Sequence, residues 1–146
     1  MSKSLKLDDQ LCFSIYQAGH AFNRFYRPLL EPLGLTYPQY LVLLTLWEAD
    51  GLPLKAIGAR LGLDSGTLTP LLKRMEETGL LRRERDRTDE RQVIVTLTPK
   101  GRRLEAKAAA FPVRIGEAAQ CSAAELTALR KLLFRLRDDL DTAAAA

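Results

Sequence analysis

Histidine occurs once in the 146 residues, as His20, and cysteine only twice, as Cys12 and Cys121. A single histidine excludes a metal site assembled from several imidazoles, and His20 is assigned no role. No glycine-rich phosphate loop and no serine–histidine–acid set is apparent, so neither an enzyme nor a bound cofactor is expected. The opening MSKSLKLDDQLCFSIY carries no long apolar stretch with a cleavage site. The longest largely apolar run, Tyr40 to Trp47, is too short to cross a bilayer. These absences point to a cytoplasmic chain with no membrane partner, whose two cysteines do not form a standing structural disulfide.

What is present is an ordinary globular composition, 47% hydrophobic and 27% charged. The length suits one domain over residues 1–146. The net charge of +4 is unevenly spread: Lys55 to Lys107 holds 13 basic residues against 8 acidic, the remainder 9 against 10. A basic surface concentrated in one stretch points to nucleic acid better than a diffuse one does.

That stretch is the most informative part of the chain. Pro53 suits the first position of a helix, where its missing N–H costs nothing. Leu54, Ile57 and Leu61 follow at helical spacing, Gly62 supplies a turn, and Asp64 caps a second helix. Leu68, Leu71, Leu72 and Met75 fall on one stripe, leaving Ser65, Thr67, Thr69, Pro70, Lys73 and Arg74 outward. Small hydroxyls and then cations suit a helix laid in a major groove. An amphipathic surface helix gives the same pattern, but the charged hairpin after it favours the groove. Gly79 ends the helix, Leu80 to Arg87 leads up a strand, Thr88-Asp89-Glu90 turns, and Gln92 to Leu97 returns with alternating β-branched residues. A hairpin carrying Arg85, Arg87 and Arg91 directly after two helices reads as a wing. Arg91 suits a narrow minor groove, and Asp89 is placed to hold its guanidinium. The expected fold is mainly α with a small β-hairpin, a winged helix-turn-helix over 53–98 that binds double-stranded DNA. A solvated hairpin that only keeps a sheet edge soluble is the plainer alternative.

The segment DSGTLTPLLKRME, continued by RDRTDERQVIVTLTPKG, resembles the multiple antibiotic resistance regulator (MarR) family. Local rules place a break at Pro70, which removes the bond to the Gly66 carbonyl; the resemblance implies that the helix runs through it. It also implies a homodimer joined through terminal helices, here 7–32 and 100–142, and suited to a palindromic operator.

Upstream, Asp8 or Asp9 starts a helix with apolar positions at Leu11, Ile15, Phe22, Phe25 and Leu29, ending before Pro32. Cys12 lies near its beginning. A cysteine with apolar neighbours is most simply a small buried hydrophobe. Against that, the start of a helix favours a thiolate, although Asp8 and Asp9 oppose it. Tyr16 lies one turn further on the same face. LDDQLCFSIY and YRPLLEPLGLTYPQYLVLLTLWE resemble the organic hydroperoxide resistance regulators (OhrR), a peroxide-sensing branch of that family. The resemblance implies that Cys12 is oxidised by an organic hydroperoxide. It implies too that Tyr26 and Tyr37, and with weaker correspondence Tyr16, hydrogen-bond the sensing sulfur. A repressor released from its operator on oxidation is the function implied. Some members pair the sensing cysteine with a second one from the partner subunit's C-terminal half, which makes Cys121 the counterpart.

In the rest of the chain, Thr36 and Gln39 form a capping box for a helix from Tyr37 to Glu48, with Leu41, Leu44 and Trp47 expected inward. Thr98-Pro99 caps a helix from Lys100 to about Gln120, bent at Pro112. Ser122 and Glu125 cap a last helix with Leu126, Leu129, Leu133, Leu136 and Leu140 on one stripe, either core or dimer surface. Met1 to Leu7 and Ala143 to Ala146 are expected to fray. Three other functions stay open on the residues. One is a regulator of the same fold answering to a small phenolic ligand, with Cys12 incidental. The others are a thiol peroxidase and an interaction module that does not bind DNA.

Overall fold

The computed structural model describes residues 5–146, which form two compact units, 5–106 and 107–146. In the first, a 3-10 turn over Leu7–Asp9 precedes helix α1 (Leu11–Leu30). The two aspartates therefore sit just before the helix instead of starting it. Of the start expected to fray, residues 1–4 lie outside the described residues, and Leu7 belongs to the turn.

Helix α2 (Tyr37–Glu48) opens on the expected capping box. Thr36 Oγ1 accepts from the Gln39 amide at 3.4 Å, and Gln39 Oε1 from the Thr36 amide at 3.1 Å. Its inward face differs from the expected one. Tyr40, Val42, Leu43 and Leu46 are buried, whereas Leu44 is 40% exposed and Leu41 and Trp47 are only half-buried. The helix is apolar on most sides, so periodicity selects no face, and packing against the helices before and after it decides.

The winged unit comes next as β1 (Leu52–Pro53), α3 (Leu54–Leu61), α4 (Ser65–Glu77), β2 (Leu81–Arg85) and β3 (Val93–Leu97). Pro53 is not the first residue of α3. It ends β1, a third strand too short for periodicity to reveal, and lies opposite Ile94. An edge strand tolerates proline because its outer side needs no ladder N–H. The sheet is antiparallel in the order β1-β3-β2, with Leu81 opposite Leu97 and Arg85 opposite Val93. Both hairpin strands are shorter than expected, because Asp86 to Gln92 is taken up by the loop. Ile57, Leu68, Leu72, Met75, Leu81 and Val95 are fully buried, so the helical pair and the sheet share one core.

Helix α5 (Pro99–Ala108) begins at the root of this hairpin. Thr98 Oγ1 donates to the Gly79 carbonyl and accepts from the Gly101 amide at 3.2 Å, while the Thr98 amide donates to the Leu80 carbonyl at 3.1 Å. Gly101 lies so close that an added Cβ would overlap that same carbonyl.

The second unit holds α6 (Phe111–Ala119) and α7 (Ala123–Ala145). The single bent helix expected over 100–120 is two helices, interrupted at 109–110 and not at the proline. Pro112 lies in the first turn of α6, where a missing N–H breaks no helical bond. The Ser122–Glu125 capping box is present, with bonds of 3.1 and 2.8 Å. The alanine tail stays helical to Ala145 instead of fraying. Leu129, Leu132, Leu133 and Phe134 remain 43–52% exposed. No helix among the described residues is long and apolar enough to cross a membrane.

Replacing Gly101 by Ala should destabilise the chain by about 1–3 kcal/mol, the usual cost of overpacking a closed contact. A lower urea midpoint at unchanged slope is the expected result, and an unchanged midpoint would mean that the hairpin root is loose.

Candidate functional site

The turn between α3 and α4 is built for close approach. Gly62 adopts φ 67°, and a Cβ on Gly58 would lie 2.8 Å from the Leu63 carbonyl. Asp64 Oδ1 then accepts from the Thr67 amide at 2.8 Å, capping α4 as expected. Such a cap is worth about 1 kcal/mol. Leu68, Leu71, Leu72 and Met75 form the buried stripe. Ser65, Thr67, Thr69, Pro70, Lys73 and Arg74 are all exposed on the opposite side. The helix continues through Pro70, whose carbonyl accepts from Arg74 Nε at 3.4 Å.

At the hairpin tip, the Asp86 amide donates to the Gln92 carbonyl and the Gln92 amide to the Asp89 carbonyl, each at 2.9 Å. Asp89 holds Arg91: Oδ1 accepts from the Arg91 amide and from Nε, each at 3.1 Å, and Oδ2 meets Nη2 at 3.4 Å. Hydrogen bonds from the Arg91 side chain and then its amide keep the Asp89 carboxyl below the usual range. The Arg91 side chain is nonetheless 91% exposed, so it is aimed yet open to an anion. Arg85 Nη1 donates to the Glu90 carbonyl at 2.7 Å, and Arg87 is exposed beside it.

One link between helix and hairpin has no signature in local spacing. Glu76 Oε2 accepts from the Arg83 amide at 2.7 Å, and Oε1 meets Arg83 Nη2 at 3.2 Å. The amide bond is the main reason that the Glu76 carboxyl is held below its usual range. This pair ties the end of α4 to the middle of β2.

Both thiols are free and exposed. Cys12 is the second residue of α1, beside Leu11 and Ile15, which are 62% and 41% exposed. Tyr16 is exposed and meets His20 edge-on, with ring centroids 4.3 Å apart. Tyr26 and Tyr37 come together at 5.2 Å between centroids, and Tyr40, not singled out by its sequence context, joins them at 5.4 and 6.4 Å. Burial is the leading cause that pushes all three phenols up from their ordinary value. The spacing of Tyr37 and Tyr40, one turn apart on a helix face, was the available signal for the third ring.

Cys12 does not share this cluster within one chain. Tyr26 lies fourteen residues further along α1, about 21 Å at the helical rise. A cleft of about 550 Å³ opens beside Tyr37, lined also by His20, Asn23, Arg24, Arg27 and Glu31, and Cys12 is not among its walls. Cys121 lies between α6 and α7, its thiol 3.3 Å from the Ala119 carbonyl, next to Gln120 at φ 54°.

Comparison with known proteins adds a family match, two relatives and two solved structures. The family described as transcriptional regulator SarA/Rot matches residues 24–107. The chain is 55% identical over 140 residues to the HTH-type transcriptional regulator TtmR of Methylorubrum extorquens, covering 96% of this chain and 72% of that one. It is 46% identical over 136 residues to the organic hydroperoxide resistance transcriptional regulator of Bacillus subtilis, covering 93% and 92%. Among solved structures it is similar to AbfR of Staphylococcus epidermidis. The reduced, DNA-bound form matches at TM-score 0.77 with 40% identity over 92% of this chain and 94% of that one. The disulfide form matches at TM-score 0.65 with 44% identity over 89% and 91%. These relatives are regulators, not enzymes.

The Glu76–Arg83 link fixes a pH dependence. Because the folded carboxyl is held below its ordinary value of 4.5, its contribution is fully present above that pH and is lost as pH falls through the lowered value. Urea unfolding of wild type and Glu76→Gln should therefore differ by a constant margin near neutrality, shrinking toward zero in acid. A margin independent of pH would show that the charge contributes nothing.

Proposed function

We propose that this chain, which belongs to the MarR family of winged-helix transcriptional regulators and is closely related to its OhrR- and AbfR-type members, is a homodimeric repressor released from DNA when an organic hydroperoxide oxidises Cys12. The observation that carries this reading is an exposed thiol in the first turn of α1, on a helix whose apolar face the chain leaves uncovered.

In the proposed complex, residues 53–98 contact DNA. The start of α4 enters the major groove, with Ser65, Thr67, Thr69 and Pro70 at base edges and phosphates and Lys73 and Arg74 on phosphates further along. Arg85, Arg87 and Arg91 follow the backbone into the minor groove, Asp89 setting the angle of Arg91. Residues 7–32 and 100–142 join two subunits about a two-fold axis that matches a palindromic operator. The exposed Leu11, Ile15 and Phe22 of α1 and Leu129, Leu133 and Phe134 of α7 support this. The separation of Cys12 from Tyr26 supports it as well, since a Tyr26 phenol that faces the thiol must then come from the second copy.

The chemistry begins in the cytoplasm with both cysteines reduced. The Cys12 thiolate attacks one peroxide oxygen; a sulfur–oxygen bond forms, the oxygen–oxygen bond breaks, and the alkoxide leaves as alcohol after taking a proton. Tyr26 and Tyr37, with Tyr16 at the edge, donate hydrogen bonds to the sulfur site. The partner subunit's Cys121 then attacks the sulfenic acid, displacing water and forming a disulfide. The disulfide form of AbfR supports that second step.

Cys12→Ser should bind operator DNA like wild type and remain bound when cumene hydroperoxide is added; release that persists would overturn the reading in favour of a thiol-independent ligand. Arg91→Ala should weaken operator binding and lower the slope of log affinity against log salt by about one per wing. Unchanged affinity and slope would remove the wing from the interface.

A further inference from the structure

Helix α1 carries a seam that its own chain leaves open. Cys12, Ile15, Gly19, Phe22 and Tyr26 follow one another at steps of three, four, three and four residues. That alternation keeps all five on one side of a helix, as in the seam between two paired helices. Ile15 and Phe22 are 41% and 46% exposed, Cys12 and Gly19 are exposed, and Tyr26 is half-buried. Gly19 stands at the midpoint, seven residues from Cys12 and seven from Tyr26. Nothing lies within 4 Å of the place that a Cβ on it would occupy. Glycine weakens a helix interior relative to alanine, and no contact within the chain requires it here.

The midpoint has a geometric consequence. When two copies of a helix pack antiparallel about a two-fold axis, the residue on the axis meets its own equivalent. Residues equally far on either side exchange partners. With Gly19 on the axis, Cys12 of each copy faces Tyr26 of the other, and Ile15 of each packs against Phe22 of the other. Lack of a side chain at the crossing lets the two backbones come closer than the usual spacing of about 8–10 Å between helix axes. A short cysteine side chain needs that approach to reach a phenol across the seam. The charges at the two ends fit the same direction. Asp8 and Asp9, just before α1, are exposed, as are Arg24 and Arg27 near its end. Antiparallel pairing brings the acidic end of one copy to the basic end of the other, whereas parallel pairing would set like charges together.

We propose that the α1 helices of two copies cross antiparallel at Gly19, and that Gly19 is the positioning residue that sets the Cys12 thiol of one copy against the Tyr26 phenol of the other. The proposal rests on the peroxide-sensing reading and deepens it by fixing the register of the seam. A bulkier side chain at the crossing parts the helices, takes the phenol out of reach of the sulfur, and removes a hydrogen-bond donor from the thiolate.

The register is read by cross-linking in the full-length protein carrying Cys12→Ser and Cys121→Ser, so that an added thiol is the only one. Gly19→Cys in this background should form a covalent dimer on oxidation by copper phenanthroline, because its two Cα atoms lie within the span of about 7 Å that a disulfide bridges. Ile15→Cys should stay unlinked, since its two equivalents sit eight residues, about 12 Å, apart along the pair. Ile15→Cys combined with Phe22→Cys should link again. Cross-links from both Gly19→Cys and Ile15→Cys alone would mark a parallel pair, and none from Gly19→Cys would place the partner surface elsewhere. Each of these results overturns the proposal.

The positioning role is read with both natural cysteines present and cumene hydroperoxide as probe. Gly19→Leu should slow Cys12 oxidation, followed by intact mass, by about tenfold at neutral pH, the worth of one hydrogen bond to a charged group. The gap should close in strong alkali, where the thiol ionises without help from a phenol. A wild-type rate, or a deficit unchanged across pH, would overturn the role; should Gly19→Leu fail to fold, the cross-links decide alone. Release of DNA from wild type by peroxide without oxidation of Cys12 would reject the sensing reading and the positioning role with it, a failure distinct from a wrong cross-link pattern.

Discussion

The direction of the wing depends on a knot of backbone hydrogen bonds at its root. The Leu80 carbonyl accepts from the Thr98 amide, the Thr98 hydroxyl donates to the Gly79 carbonyl, and Gly101 closes against Leu80 with no room for a side chain. Asp50 secures the neighbouring strand, accepting from the Gly51 amide at 2.8 Å and the Leu97 amide at 2.9 Å while pairing with Arg102. These bonds satisfy backbone groups that strand and helix ends leave without regular partners, so losing one costs more than the modest net worth of an average hydrogen bond. The Arg91–Asp89 pair at the tip differs in kind. It is exposed and contributes little to stability, but it orients a guanidinium. The root sets where the wing points, and the tip supplies the charge.

Local order made much of this legible from sequence. The Asp64 cap, the Leu68–Met75 stripe and the Arg91–Asp89 pair all involve residues within about two helical turns of one another, and each is present. The same holds for both capping boxes. Where pattern and packing part company, the sequence is silent. Helix α2 has apolar residues on most sides, and only its neighbours select Val42, Leu43 and Leu46 over Leu41 and Leu44. Pro112 marks a helix start and Pro70 lies inside an unbroken helix, so proline alone does not locate an interruption. Within the site, Cys12, Tyr26 and Tyr37 were named through family resemblance. Tyr40 was not, because tertiary packing is what brings its ring to Tyr26. The bond from Trp47 to Gly101 spans 54 residues and leaves no trace in local spacing.

For the proposed sensing chemistry, a single copy of the chain is incomplete. Its Cys12 thiol and the Tyr26 phenol sit toward opposite ends of one helix, about 21 Å apart at the helical rise, so they do not meet within one chain. The apolar side chains at Leu11, Ile15 and Phe22 remain 41–62% exposed along the same helix, a patch that a monomer has no reason to keep. One arrangement answers both facts: a second copy that covers the face and carries its phenols to the thiol. In the proposed homodimer, pairing is then part of the sensing chemistry as well as a match to a two-fold operator.

A regulator of this kind has to let go of DNA while keeping the charges that hold it. Phosphate contacts supply a large share of the affinity and do not depend on the state of a remote sulfur. What a sulfur can alter is whether two winged units engage both half-sites together. Binding of the second unit is effectively intramolecular, and its advantage is lost when geometry forbids simultaneous engagement. Here the stiffness of the wing root matters. A hairpin hinged loosely at Leu80 would absorb a displacement of the terminal helices and keep its contacts. One locked between Thr98 and Gly101 moves with the helix attached to it. In the proposed mechanism, a displacement of the helix that follows the wing therefore has to shift a whole winged unit or nothing. That turns a local change at the sulfur into loss of register, at a coupling of about 5- to 150-fold that a few contacts can supply.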